Sequence, residues 1–377
     1  MYTRELEIII RASIKKFQKS ILLLGARQVG KSTLIKKLKP NLVINLADQS
    51  LFIKYKKEVD LLRRQVEALG GKQGLIFIDE IQRVPELLNT IQSIIDDDKS
   101  KIFILTGSSS RKLKHGSVNR LPGRLLSYSM YPLTYREIRN DFRLPDVLSK
   151  GTLPEIYSKN HGSDLLHDYV DIYLRDEIQA EAVVRHIDSF SRFLDLSAEV
   201  SGQELNYSKL SSDSEIPKET LRRYVDILED TLLIHRLSGF ANTSGSRKAV
   251  QREKLFYFDL GVRNALLKKE KDHFSESELG FLFEHWLIVE LIRWNVYEKK
   301  SYELFYYRDE AKNEFDLIIE TKSAVYCIEI KYSSKMKSSY FKAAEALKNS
   351  FKKPVHFLYL FRGEKKRKMA PWYGCAL

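Results

Sequence analysis

Residues 25–32 read GARQVGKS, the G-x-x-x-x-G-K-(S/T) spacing of a phosphate-binding loop. Gly25 and Gly30 permit the tight turn that aims backbone N–H groups at phosphate oxygens. The candidate nucleotide contacts are Gly25, Ala26, Arg27, Gln28, Val29, Gly30, Lys31, Ser32 and Thr33. Lys31 can reach the β- and γ-phosphates as a point charge, and the Ser32 hydroxyl can ligate Mg2+. Residues 74–82, GLIFIDEIQ, end an apolar run in Asp79, the expected Mg2+ partner through its water shell. Glu80 follows, placed to polarise an attacking water as general base. An acidic pair after a strand also caps helices, but the upstream loop favours the hydrolytic reading. A third apolar run, FILTGSSS at 103–110, ends in hydroxyl residues. Thr106 or Ser108 can contact the γ-phosphate or its water, or merely form a Ser/Gly turn. Arg120 and Arg124 come next. Arg124 is the candidate finger onto a neighbouring subunit's nucleotide, with a solvated or phosphate-binding arginine as the alternative.

Such a site needs parallel strands side by side. Apolar runs at 20–24, 42–46, 75–79 and 101–106 alternate with helical patterns, which predicts an α/β fold. From about 160 to 240 the apolar spacing becomes helical. A second, smaller α/β pattern begins near 278. It comprises a helix at 279–295, strands at 304–307, 315–320 and 324–331, a helix at 338–348 and a strand at 355–359. These shifts divide the 377 residues into domains at 1–160, 161–245 and 246–377. The 43% hydrophobic content and 19 Phe are ample for buried cores, and 30% charged residues argue against widespread disorder. Two cysteines, Cys327 and Cys375, make neither a disulfide framework nor a metal-ligand pair, which points to a reducing, cytoplasmic setting. No apolar run reaches the length of a membrane span, and the first residues lack a signal peptide's apolar stretch. The net charge is +13, and residues 330–377 hold twelve Lys and Arg against two acidic residues. That balance favours a polyanion such as DNA. Lys365, Lys366, Arg367 and Lys368 are its densest run, a DNA contact or a solvated surface.

Taken together, these motifs resemble a family of prokaryotic AAA-type P-loop ATPases. Its members join the ATPase to a winged-helix segment and a C-terminal domain formerly of unknown function. The family pattern GPRQVGKT is similar to Gly25 through Ser32, with Ala26 for proline and Ser32 for threonine. DEIQ corresponds to 79–82, TGSS to 106–109, a GR pair to Gly123 and Arg124, and a Pro-Leu-x-x-x-Glu stretch to 132–137. A GG-x-P-like element resembles 151–155, and an R-D element resembles Arg175 and Asp176. The resemblance implies MgATP hydrolysis in a homo-oligomer, with a hexameric ring as one form.

Residues 195–240 look like a winged helix. In it Leu221, Val225, Leu228 and Leu232 form the buried stripe, and Lys218, Arg222 and Arg223 can face outward, as a DNA contact or on a winged helix that only packs domains together. The C-terminal segment resembles the PD-(D/E)xK nuclease fold. Asp316 lies in one strand, Glu329 and Lys331 two apart on one face of the next, and Glu284 on the preceding helix is the usual fourth partner. The resemblance implies that Glu284, Asp316 and Glu329 hold Mg2+ or Mn2+ while Lys331 positions water. A retained fold without cleavage, or a surface ion pair, is the alternative. The expected function is ATP hydrolysis coupled to DNA remodelling or metal-dependent cleavage. The alternatives are a translocase with a non-cleaving nuclease-like domain, and a signalling or defence ATPase that gates a protein partner or nuclease.

Overall fold

The computed structural model describes residues 2–70, 74–108, 123–159, 162–174, 187–241, 252–269, 274–335, 337–348, 351–362, 367–369 and 372–376. Five parallel strands form the first sheet: β1 (Ser20–Leu24), β2 (Leu42–Asn45), β3 (Gly74–Asp79), β4 (Lys101–Gly107) and β5 (Leu125–Ser129). Their order is β2-β3-β4-β1-β5. β1 and β4 are buried along their whole length, which is why they read as unbroken apolar runs. Side chains alternate across this sheet. Ile21, Leu23 and Phe77 enter one core, while Leu22, Leu24, Ile76 and Ile78 enter the other. β5 has no counterpart among the expected strands. It is an edge strand, largely half-buried, and LLSYS carries no continuous apolar signal.

The helices that matter below are α1 (Glu5–Phe17), α2 (Lys31–Lys36), α3 (Leu87–Asp97), α4 (Ile187–Glu199), α5 (Tyr207–Ser214), α6 (Lys218–Asp230), α7 (Leu260–Leu266) and α8 (Glu276–Tyr297). In the middle segment α4, α5 and α6 are followed by a hairpin of β6 (Ile234–Gly239) and β7 (Lys254–Tyr257). Leu221, Val225 and Leu228 are buried on α6 as expected. Leu232 lies beyond the helix end, in a left-handed turn with φ 61°.

The second sheet has eight strands in the order β12-β13-β11-β10-β9-β8-β6-β7. Its other members are β8 (Glu303–Arg308), β9 (Glu314–Glu320), β10 (Val325–Lys331), β11 (Val355–Phe361), β12 (Arg367–Met369) and β13 (Trp372–Ala376). The β6–β7 hairpin joins this sheet where Ser238 and Gly239 of β6 pair with Phe305 and Tyr306 of β8. A domain cut at 245 would therefore pass between two paired strands, because backbone pairing crosses a boundary that composition alone suggested. At the other edge, β12 and β13 pair antiparallel and extend the sheet beyond β11.

α8 runs through the centre of this half. Ser275 and Glu278 form a capping box at its start. It is apolar nearly all round, as a helix buried on most sides must be. Among the described residues no helix is long and apolar enough to cross a membrane.

Two histidines lie in this interior. His285 Nε2 is 2.9 Å from the Tyr257 carbonyl oxygen, and the His235 ring packs 5.6 Å from that of Tyr131. Burial, with the Arg293 charge nearby, brings His235 down to about 4. Burial brings His285 down to about 3. In the unfolded chain both protonate near pH 6.5. The unfolded state thus binds more protons below that pH, so stability is full above 6.5 and falls as the pH drops towards the folded values. Each site contributes on the order of 3 kcal/mol. Relative to a variant with both histidines replaced by glutamine, the wild type should therefore lose melting temperature between pH 7 and pH 5. An equal change of melting temperature in the two proteins from pH 7 to 5 would contradict this.

Candidate ATPase site and C-terminal carboxylate cluster

The phosphate-binding loop leaves β1 at Leu24 and enters α2 at Lys31. Gly25 is obligatory, since a Cβ there would lie 2.5 Å from the Met130 carbonyl oxygen. Gly30 has φ 99°, a left-handed conformation that favours glycine. Ala26 and Val29 are buried against the core, Arg27, Gln28 and Ser32 are half-buried, and Thr33 is exposed. The Lys31 ammonium is buried within the loop and donates to the carbonyls of Gly25 (2.7 Å) and Ala26 (3.0 Å).

The three expected motifs meet because β3, β4 and β1 are neighbours with aligned C-terminal ends. The Ser32 hydroxyl donates to Asp79 Oδ2 at 2.6 Å, and the Thr106 hydroxyl donates to Asp79 Oδ1. A hydroxyl and a carboxylate side by side are hard oxygen donors of the kind Mg2+ takes. Glu80 has φ 57°, a strained conformation for a non-glycine residue. Its backbone N–H donates to Thr106 Oγ1 at 3.3 Å. Its Oε2 accepts from the Gln82 amide and from the Ser108 hydroxyl, the latter at 3.3 Å. Thr106 and Ser108 thus bind the acidic pair itself.

Arg124 stands elsewhere. It precedes β5, and the register pairs Ser20 with Leu125, so it sits at the end of the sheet opposite Gly25. It makes a two-pronged ion pair with Asp96 of α3, at 2.7 and 3.0 Å. It does not contact the loop of its own chain, so a finger role would require a neighbour. Arg120, Ser109, Arg175 and Asp176 lie outside the described residues.

Two residues outside the three nucleotide motifs support the loop. Arg4, 5% exposed, donates to the carbonyls of Val29 and Tyr131 (2.6 Å each) and pairs with Glu137 at 2.9 Å. Glu137 is fully buried and also accepts the backbone N–H groups of Thr134 and Glu5. A lone arginine near the start of the chain carries no sequence signal for this. Glu137 is visible only as the last residue of the Pro-Leu-x-x-x-Glu stretch.

In the second sheet, Asp316 of β9, Glu329 and Lys331 of β10 and Glu284 of α8 come together. The Lys331 ammonium lies 2.6 Å from Glu329 Oε1 and 3.9 Å from Asp316 Oδ2. Asp316 Oδ2 also accepts the Ile330 N–H at 2.6 Å. Burial and then the Asp316 charge push Glu284 and Glu329 up to about 8. Burial works against the Lys331 charge, but Asp316 and Glu329 hold its pKa above the usual lysine value. Lys254 of β7 adds an unforeseen second ammonium, buried and 2.8 Å from Glu314. The positive charge among these carboxylates thus comes from the chain's own lysines. Among the described residues, no group of three or more His, Cys, Asp or Glu side chains is arranged to hold a metal ion. Glu329 Oε2 is buried with no hydrogen-bond partner among the described residues.

Lys218, Arg222 and Arg223 are exposed on α6, with Arg222 3.5 Å from Glu219 and over the Tyr207 ring. Arg367 and Lys368 lie in β12. Lys365 and Lys366 lie outside the described residues.

Comparison with known proteins divides the chain in three. Residues 17–139 match an AAA domain family, residues 141–273 a domain of unknown function (DUF8612), and residues 279–370 another (DUF4143). An uncharacterized protein of Mycobacterium tuberculosis is 27% identical over 327 residues, covering 83% of this chain and 70% of the relative. One from Methanocaldococcus jannaschii is 25% identical over 383 residues, covering 88% and 79%. Among solved structures, the Aeropyrum pernix ORC1 protein in complex with DNA is 12% identical and covers 71% of this chain and 93% of that one, with a TM-score of 0.32. At that score the likeness does not bear on function. The AAA match and the loop geometry agree: the first domain is an AAA-type P-loop ATPase domain.

Breaking a buried ion pair strands the other charge, at a cost of about 3–5 kcal/mol. Arg4→Met should therefore destabilise the protein by about that amount in urea unfolding, and adding Glu137→Gln should recover part of the deficit. A cost below about 1 kcal/mol, the scale of an exposed pair, would show that Arg4 does not brace the loop.

Proposed function

We propose that this protein hydrolyses MgATP to remodel DNA, and that its C-terminal domain binds DNA without cutting it. The hydrolytic half rests on one observation above all: Ser32, Asp79, Glu80 and Thr106 form a single hydrogen-bonded network beside the phosphate-binding loop. Lys31 and the loop N–H groups bind the phosphates, Ser32 and Asp79 hold Mg2+, and Glu80 takes the proton of the attacking water. The bound Mg2+ would supply charge neutralisation across the phosphates. Arg124 acts on a neighbour's nucleotide, in an oligomer.

DNA is supported by charge and by element order. Three helices and a hairpin, with Lys218, Arg222 and Arg223 exposed on the third helix, support a winged-helix reading. In the C-terminal half, a helix, an antiparallel run β8–β9–β10, a helical crossover and the parallel strand β11 support a nuclease-like fold. The non-cleaving reading is favoured over the metal-dependent nuclease because Lys331 sits between Glu329 and Asp316, where a divalent ion would be needed.

Changing Lys218, Arg222 and Arg223 together to alanine should weaken DNA binding. It should also reduce the slope of log affinity against log salt by about 2–3, one increment for each phosphate that a basic side chain no longer neutralises. ATP turnover without DNA should be unchanged. An unchanged salt slope would place the DNA elsewhere on the protein.

A further inference from the structure

We infer that Gln82 is a positioning residue for ATP hydrolysis, fixing the carboxylate of Glu80 against Ser108 of the neighbouring strand so that one oxygen remains to take the proton from water. The inference rests on the reading of Glu80 as the general base.

Gln82 lies in a 3-10 turn, Ile81–Arg83, immediately after β3, and is 6% exposed. Its amide nitrogen donates twice, to Glu80 Oε2 and to Ser108 Oγ at 3.0 Å. The Ser108 hydroxyl in turn donates to the same Glu80 Oε2 at 3.3 Å. The three side chains form a closed triangle around one carboxylate oxygen. Among the described residues nothing donates to Glu80 Oε1. A carboxylate accepts through both oxygens. With Oε2 committed to two donors, Oε1 is the oxygen left for a water.

Glu80 needs such a clamp. Its backbone is in the left-handed region at φ 57°, so neither a regular strand nor a helix fixes where its side chain points. Orientation must come from side-chain contacts, and among the described residues these are Gln82 and Ser108. Gln82 is itself poorly matched as a structural residue. Its carbonyl oxygen is buried with no protein partner among the described residues. A buried acceptor left unpaired costs stability. A side chain retained only for packing would do better as methionine, which has similar length and no polar atoms. The residue keeps the amide, whose nitrogen reaches the base.

The test compares full-length wild type with Gln82→Met, Glu80→Gln and the double variant. ATP turnover, affinity for a fluorescent ATP analogue with Mg2+ and melting temperature are measured for each. Gln82→Met should lower kcat about 10- to 100-fold, the scale for removing a group that orients another. Its nucleotide affinity should stay within about twofold, below the tenfold change worth 1.4 kcal/mol, and its melting temperature should not fall. The double variant should turn over no more slowly than Glu80→Gln alone, because residues acting as a unit are not additive. Wild-type kcat in Gln82→Met, a reduced kcat accompanied by a lowered melting temperature, or a further reduction on top of Glu80→Gln would each overturn the inference. Wild-type turnover by Glu80→Gln would remove the general-base reading itself and the inference with it.

Discussion

The side-by-side pairing of β3, β4 and β1 is the constraint on which the ATPase site depends. Parallel strands in register end at the same level, so Asp79 from β3, Thr106 from β4 and the loop after β1 arrive at one edge of the sheet. Ligands of open α/β sheets bind at the carboxyl ends of the strands for the same geometric reason. No single contact holds these residues together. The buried ladder does, and the hydrogen bonds of Ser32 and Thr106 to Asp79 then set orientations that the ladder has already brought within reach.

A second set of buried charges ties that edge to the rest of the molecule. Glu137, in the segment after β5, pairs with Arg4, which donates to the loop. That segment is in turn held by α8, because the Tyr135 N–H donates to Glu290 and Arg293 donates to the Leu133 carbonyl. Arg293 also reaches the carbonyl of Phe258 at 2.6 Å and pairs with Glu290 at 2.8 Å. The same helix carries Glu284 of the carboxylate cluster, six residues and about 9 Å along its axis from Glu290. One rigid element thus touches both the support of the nucleotide loop and the C-terminal cluster, the physical requirement for nucleotide state to be felt in the C-terminal half.

Much of this was legible in the sequence. GARQVGKS and GLIFIDEIQ have fixed spacings because their residues act on one small ligand, and buried parallel strands announce themselves as apolar runs. The pairing of Glu329 with Lys331 followed from the two-residue period of a strand. What stayed hidden depends on distance in the chain. Arg4 meets Val29 and Glu137 only after folding, Lys254 reaches Glu314 from another segment, and the β6–β7 hairpin joins a sheet whose other strands begin near residue 303. Asp316 and Glu329, like charges held close, need a counter-charge, and Lys331 from the strand of Glu329 supplies it.

The central claim joins ATP hydrolysis to DNA without cleavage. It is tested most directly by measuring ATP turnover of the full-length protein alone and with duplex, single-stranded and branched DNA, in Mg2+ and in Mn2+, while following the DNA itself. The account predicts that at least one DNA form raises turnover and that all of the DNA remains intact. Turnover indifferent to every DNA form would contradict the coupling, and DNA cleavage abolished by Asp316→Ala would contradict the non-cleaving role given to the C-terminal domain.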